Sequence, residues 1–118
     1  MTNEPIVIWF QAGSEVMLKI RKPSELKIAF SIVEEADVHT NATYIPSIKS
    51  WCIQHGVSSA SFYPGIKHLQ ELGIIYRKYN IFYVNPTMWL SSTVELADVY
   101  QKTGEYPIEI LRPEGAPW

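Results

Sequence analysis

Apolar residues recur at helical spacing shortly after a Pro-Ser pair in the first third of the chain. Leu26, Phe30 and Val33 follow one another at intervals of four and three residues, with Ala29 and Ile32 beside them. This spacing places their side chains on one face of a helix, and Ser24 is a favoured residue at a helix N-terminus. The pattern predicts a first helix from Ser24 to about Ala36.

A second and a third helix are predicted in the middle of the chain, with a Gly-containing turn between them. The second begins at Pro46, because proline suits the first position of a helix, and it ends before Gly56. The third carries Phe62, Ile66 and Leu69 at spacings of four and three, which places these residues on one face.

Pro64 and Gly65 interrupt the third predicted helix. In a helix interior proline costs about 3 kcal/mol and glycine about 1 kcal/mol relative to alanine. If Ser61 rather than Ser58 caps this helix, Pro64 falls in the first turn, where its missing N–H would have no helical partner in any case. The sequence leaves both starting points open.

Two pairs of β-rich runs predict two hairpins. The runs on either side of a short Gly-containing connection predict an N-terminal hairpin over residues 6–20. The runs at residues 74–78 and 81–84 meet at Tyr79-Asn80 and predict a second hairpin directly after the third helix.

The order of the predicted elements indicates the fold. Thr93 is a good cap for a last helix that Gly104 would end. Two short helices followed at once by a small hairpin are the element order of a winged helix-turn-helix. The sequence therefore predicts an α+β fold, a winged helix-turn-helix with an extra N-terminal β-hairpin and a C-terminal helix. Residues 1–118 form one domain, with the core at about 24–92, the hairpin at 6–20 and the C-terminal helix and tail at 93–118.

Composition agrees with one domain and limits where the protein acts. With 118 residues, of which 47% are hydrophobic, the chain has enough apolar side chains for a single core. No apolar run approaches the roughly 20 residues that cross a bilayer, and the first ten residues lack the positive leader of a signal peptide. Cys52 is the only cysteine, so no internal disulfide forms. We expect a cytoplasmic protein with no membrane partner.

The charges are unevenly distributed, although the formal net charge is only −2. Residues 41–85 contain four basic residues and one acidic residue, a charge of +3, whereas the rest of the chain contains six basic and eleven acidic residues, a charge of −5. Neutralisation of phosphates by Lys and Arg supplies most non-specific DNA affinity. The basic segment contains the third helix and the second hairpin, so the distribution favours a nucleic-acid ligand there.

The third helix and the second hairpin carry the side chains that would contact duplex DNA. Hydroxyls and cations bind phosphate oxygens, and their joint placement favours a binding role over isolated solvated charges. The third helix has no arginine, the residue most used to read guanine, so shape and backbone contacts are expected to dominate. The predicted DNA-binding residues are Lys49, Ser58, Ser59, Ser61, Tyr63, Lys67, His68, Arg77 and Lys78.

Four short motifs carry a resemblance to a known family. They are Gly56-Val57-Ser58, Ser61-Phe62, Leu69-Gln70-Glu71-Leu72-Gly73-Ile74-Ile75 and Tyr83-Val84-Asn85-Pro86, the last followed by Met88-Trp89-Leu90. On these motifs, the stretch from about residue 24 to 92 resembles the plasmid replication initiators of the RepL type found in Firmicutes. The resemblance implies a winged-helix fold and a role in replication initiation.

No arrangement of residues predicts catalysis or a cofactor. The sequence has no Ser/His/Asp ordering, Gly-rich phosphate loop or paired-carboxylate motif, and we expect that the chain is not an enzyme. Cys52 and His55 are close enough in sequence to meet one metal ion, with His39 and His68 as further candidates, but a structural zinc site needs four ligands at suitable spacing. We expect ordinary packing and no metal.

Aromatic residues near the C-terminus allow two interpretations. Trp89, Tyr100, Tyr106 and Trp118 lie outside the predicted helix-turn-helix. Aromatic side chains supply large contact areas, so this C-terminal aromatic segment could bind a protein partner. Packing of the last helix and tail on the core explains the same residues equally well.

Two functional hypotheses follow. The leading one is a duplex DNA-binding protein that acts in replication initiation or transcriptional regulation of a plasmid, phage or similar element. The competing one is a winged-helix module that binds another protein and, because its flanks are acidic, does not bind DNA. Operator-type sites are commonly read as two half-sites, so we also expect a homodimer.

Overall fold

Five helices and five short strands are present in the computed structural model, which describes residues 3–110 and 112–118. The strands form two antiparallel sheets, one of β1 and β5 and one with the order β2-β4-β3. The predicted α+β class is therefore confirmed. In chain order the elements are β1 (Pro5–Trp9), α1 (Gln11–Met17), α2 (Pro23–Glu35), β2 (Ala42–Tyr44), α3 (Ile48–His55), α4 (Ser59–Glu71), β3 (Ile75–Lys78), β4 (Ile81–Val84), β5 (Trp89–Thr93) and α5 (Val94–Thr103).

Among the described residues, no helix combines the length and the apolar character needed to cross a bilayer.

Helix α2 confirms the first predicted helix, with two corrections. The helix starts at Pro23 without a side-chain cap, so Ser24 is not its N-cap. Its buried face is also rotated from the predicted one, and Phe30 is 40% exposed. Two overlapping apolar stripes fit helical spacing in this segment, and the core selects the one made by Ile28, Ala29, Ile32 and Val33.

The second and third predicted helices are confirmed as α3 and α4. Helix α3 begins two residues later than predicted, because the Ser47 hydroxyl accepts a hydrogen bond from the N–H of Ser50. Gly56 ends it in the left-handed conformation, with φ of 67°. The Ser58 hydroxyl caps α4 by accepting from the N–H of Ser61 at 3.1 Å, so the alternative start at Ser61 is wrong.

Pro64 and Gly65 are accommodated inside α4 for different reasons. Pro64 has no N–H to donate to the carbonyl of Ala60. Ala60 and Pro64 are both exposed, so water can satisfy that carbonyl. Gly65 is buried, and a Cβ there would lie 3.0 Å from Cδ1 of Ile28 and 3.5 Å from Cγ of Glu25. The missing side chain lets α4 approach α2 closely.

Strands β3 and β4 confirm the second predicted hairpin. Lys78 pairs with Ile81, which leaves a two-residue loop of Tyr79 and Asn80. Tyr79 has a positive φ of 57°, and its side chain is 85% exposed. Strand β2 pairs with the other edge of β4, so the hairpin is joined to the segment that precedes α3.

The predicted N-terminal hairpin over residues 6–20 is wrong. Its first strand exists as β1 but pairs with β5, and the next residues fold as α1. Gly13, Val16 and Ile20 are buried at intervals of three and four, whereas Leu18 is 83% exposed. A strand would place Val16, Leu18 and Ile20 on one face. Because Leu18 is exposed while the other two are buried, the pattern fits a helix and its following turn instead.

The C-terminal helix is confirmed at both ends. The Thr93 hydroxyl accepts from the N–H of Leu96 at 3.2 Å, and Gly104 ends α5 with φ of 75°. Strand β5, which the sequence pattern did not predict, lies directly before it. Val16 and Ile20, which precede α2, also belong to the hydrophobic core.

Candidate nucleic-acid interface

One face of α4 is left uncovered by the rest of the domain. Phe62, Ile66 and Leu69 point into the core. Tyr63 and Lys67, one helical turn apart, are exposed on the other side. A helix held from behind with one side free is the form that can enter a major groove.

Arg77 attaches the hairpin to this exposed face. Its guanidinium carbon lies 5.5 Å from the ring centroid of Tyr63 on α4 and 5.3 Å from that of Phe82 on β4. Such distances allow a cation–π interaction with either ring. The Arg77 Nε also donates to the carbonyl of Tyr79 at 2.7 Å, and its main-chain N–H donates to Oε1 of Gln70 at 2.8 Å. The hairpin and α4 are thereby held as one surface.

Three exposed lysines lie on α4, on the hairpin and on the preceding helix α3. Lys67 lies on α4, Lys78 ends β3, and Lys49 lies in the first turn of α3. Within residues 3–110 and 112–118, none of them forms an ion pair with a carboxylate. Glu71, one turn after Lys67 on α4, is the acid closest in sequence to this face. The lysine charges are thus free to interact with phosphate.

The predicted serines have different positions. Ser59 is exposed in the first turn of α4. Ser58 and Ser61 are engaged with each other, because the Ser58 hydroxyl donates to that of Ser61 at 2.9 Å while capping the helix. Of the three hydroxyls, that of Ser59 is the one best placed for an external partner.

His68 faces α2 rather than the exposed side of α4. Its Nδ1 lies 2.9 Å and 3.2 Å from the two carboxylate oxygens of Glu25, which is 6% exposed. An ionised carboxylate only accepts hydrogen bonds, so the tautomer with its proton on Nδ1 completes this contact. Its Nδ1 therefore satisfies a buried acid, while the partly exposed side chain also lines the cleft beside α4. Contact of His68 with DNA stays a prediction.

Replacing His68 with alanine is expected to destabilise the domain by about 1–3 kcal/mol, because Glu25 would remain buried without its partner. Chemical denaturation followed by circular dichroism measures this change. Combining His68→Ala with Glu25→Gln should recover part of the loss, since the buried charge is then removed. Equal stability of the wild type and the His68→Ala variant would show that the pair contributes nothing.

Sequence reasoning missed a second basic group beside α4. Lys19, Arg21 and Lys22, in the segment between α1 and α2, line a cleft of about 620 Å³ together with residues of α4. These cations were counted with the acidic remainder of the chain. A local count gives residues 18–24 three basic residues and no acidic one, which is the signal that would have found them.

The C-terminal aromatic residues are used within the domain. Trp89 is fully buried, and the hydroxyl of Tyr106 donates to the carbonyl of Ser91 at 2.8 Å. Trp118 packs edge-on against Tyr76, with ring centroids 6.4 Å apart. Among the two interpretations of this segment, the contacts favour packing of the tail on the core.

His55 and Cys52 are two of the residues weighed as metal ligands. Nδ1 of His55 lies 2.8 Å from the carbonyl oxygen of Trp51, and its Nε2 lies 3.0 Å from Oε2 of Glu35. Cys52 is buried in the core, and burial raises the pKa of its thiol. These contacts give His55 and Cys52 packing roles between α2 and α3.

Comparisons with protein-family models, with curated proteins and with solved structures return no match for this chain.

Proposed function

We propose that this chain is a duplex DNA-binding protein of the winged helix-turn-helix type. In this proposal α4 is the recognition helix, α3 braces it, and the β3–β4 hairpin is the wing. The element order α2-β2-α3-α4-β3-β4 supports it, as does the pairing of β2 with the hairpin. The RepL-type resemblance agrees with this arrangement, and replication initiation or transcriptional regulation is the role we propose. We further propose that the chain acts by binding alone, as a non-enzymatic cytoplasmic protein without a cofactor.

The observation that carries the proposal is the contact of Arg77 with Tyr63. It places a cation of the wing beside the exposed face of α4, next to the side chains that would face base edges. Lys67 and Lys78 extend the positive surface along the helix and along the wing. Arg77 is held by two rings and by the carbonyl of Tyr79, so it would lose little conformational freedom on binding phosphate.

Replacing both Arg77 and Lys78 with alanine is expected to weaken binding to all duplexes about equally, because phosphate contacts carry no base information. The slope of log affinity against log salt should lose up to about two in magnitude, at roughly 0.9 per phosphate contact. Fluorescence anisotropy with several labelled duplexes at several salt concentrations measures both quantities. Replacing Tyr63 or Lys67 should instead change the ranking among sequences, because groove-facing side chains distinguish base edges.

Lys102→Ala combined with Arg112→Ala is the matched control, because it also removes two positive charges. Lys102 lies on α5, where it pairs with Asp98 at 2.9 Å. Because Arg77 also packs against two rings, the Lys78→Ala single variant separates charge from packing and should lower the slope by about 0.9. Full affinity and an unchanged slope in the wing double variant would rule out this docking. The protein-interaction function would then be the better one.

A homodimer is the assembly that we propose for a protein that reads two half-sites. Sedimentation velocity at high micromolar concentration should show a species of twice the chain mass. A monomer at every concentration tested would contradict this prediction.

A further inference from the structure

We infer that the segment before α2 binds the second phosphate backbone of the duplex, on the side of α4 opposite the wing. The inference rests on the proposed function and deepens it, because it makes the protein grip both strands that border one major groove.

The cleft between this segment and α4 supplies the geometry. Its volume is about 620 Å³, and one wall carries Lys19, Arg21 and Lys22. The other wall is α4, which presents short side chains there, among them Ala60 and Pro64. Short side chains leave the cations uncovered from the α4 side.

The helical period of α4 places this cleft and the wing on two flanks of its exposed face. Residues 61, 64, 65 and 68 line the cleft, whereas residues 63 and 70 contact Arg77 of the wing. At 3.6 residues per turn these two groups point in roughly opposite directions. Exposed Lys67 lies between them, so α4 has cations on both of its sides.

The charges in the cleft are available to a ligand. Lys19, Arg21 and Lys22 are all exposed, and in the described parts of the chain none of them pairs with a carboxylate. The acid in the cleft, Glu25, is buried and has His68 as its partner at 2.9 Å. The cleft therefore presents net positive charge toward solvent.

Duplex DNA fits this arrangement better than a small anion. The major groove is about 12 Å wide and has one phosphate backbone along each edge, while an α-helix with its side chains is about 10–12 Å across. A helix inserted in the groove therefore meets one backbone on each side. Small-ligand sites enclose most of their ligand, whereas the three cations here stand exposed.

Three double variants with equal charge loss test the inference by anisotropy on a non-specific duplex between 50 and 200 mM salt. They are Arg21→Gln with Lys22→Gln in the cleft, Arg77→Gln with Lys78→Gln in the wing, and Lys102→Gln with Arg112→Gln as the control. The slope of log affinity against log salt should be smaller in magnitude by up to about two in the cleft variant, at roughly 0.9 per phosphate contact. Between 50 and 200 mM salt, the factor by which affinity falls should then be about 12 times smaller than for the wild type. The wing variant should behave similarly, and the control should match the wild type. Thermal unfolding confirms that each variant is folded.

The outcomes separate the inference from the proposed function. If the wild type binds the duplex and the wing variant loses slope, but the cleft variant matches the control, the inference is wrong and the proposed function stands. If the wild type does not bind the duplex, the proposed function fails and the inference fails with it. A further titration uses inorganic pyrophosphate as the probe. If the wild type binds pyrophosphate at micromolar concentration and only the cleft variant loses that binding, while the duplex affinity of the cleft variant is unchanged, the cleft is a small-anion site and the inference is wrong.

Discussion

Replacing Asn41 with alanine is expected to lower the free energy of unfolding by about 3–5 kcal/mol, the largest effect of any single substitution considered. Asn41 is 1% exposed. Its Nδ2 donates to the carbonyls of Val84 and Trp89, both at 3.0 Å, and its Oδ1 accepts from the N–H of Ser91 at 2.8 Å. One side chain thus joins the turn before β2 to the end of β4 and to β5.

The alanine variant would leave three buried main-chain groups without partners, at about 1–3 kcal/mol each before relaxation. It would also place alanine at a φ of 54°, which asparagine tolerates better. Urea denaturation followed by circular dichroism measures the loss. Asn41→Gly should be less destabilised than Asn41→Ala by about 1 kcal/mol, because glycine accepts positive φ.

Asn80→Ala is the matched control for this substitution. Asn80 lies in the hairpin loop and makes one long side-chain hydrogen bond, from its Nδ2 to the carbonyl of Pro46 at 3.3 Å. We expect a change of no more than about 1 kcal/mol there. Equal losses at the two asparagines would contradict the joining role of Asn41.

Replacing Gly13 with alanine is expected to destabilise the domain by about 1–3 kcal/mol, even though alanine is the better helix former. A Cβ at this position would lie 2.7 Å from the carbonyl oxygen of Met88 and 2.8 Å from Cε2 of Trp89. The first contact is with main chain and the second with a fully buried ring. Neither neighbour can move without shifting α1 away from β5.

Ser14→Ala is the control in the same helix, because Ser14 is exposed. Its effect should stay within about 0.5 kcal/mol. Thermal and chemical unfolding of the two variants measure the difference. A Gly13→Ala variant as stable as Ser14→Ala would show that α1 does not dock closely on Trp89.

The elements predicted correctly are those whose signals are local. Thr93 and Gly104 mark both ends of α5, and each acts through hydrogen bonds or backbone angles within a few residues. The β3–β4 hairpin is likewise defined by its two-residue loop. Short-range chemistry of this kind is available in the sequence without knowledge of the fold.

The elements predicted wrongly depend on distant partners. The run at residues 15–20 suits a strand by alternation, but the docking of Gly13 on Trp89, 76 positions later in the chain, favours a helix there. The pairing of β1 with β5 is similarly remote. Where a run fits both the strand period and the helix period, its pattern cannot show which face the rest of the chain will bury.

The candidate site was predicted in part for the same reason. The pattern grouped α4 with the hairpin because they are adjacent in sequence, and the Arg77–Tyr63 contact shows them to be adjacent in space. His68 was assigned to the same face, but its partner Glu25 lies 43 residues away. The cations at residues 19–22 were missed because tertiary packing alone brings them beside α4.

The salt dependence of duplex binding by the wild-type protein tests the central claim most directly. Anisotropy of a labelled non-specific duplex, titrated with the full chain between 50 and 200 mM salt, gives the observed affinity at each concentration. If the wing and the segment before α2 contact phosphates through their five cations, log affinity should fall linearly with log salt, with a slope of up to about −4.5. Absence of binding at 50 mM salt, or an affinity that does not change with salt, would contradict the account.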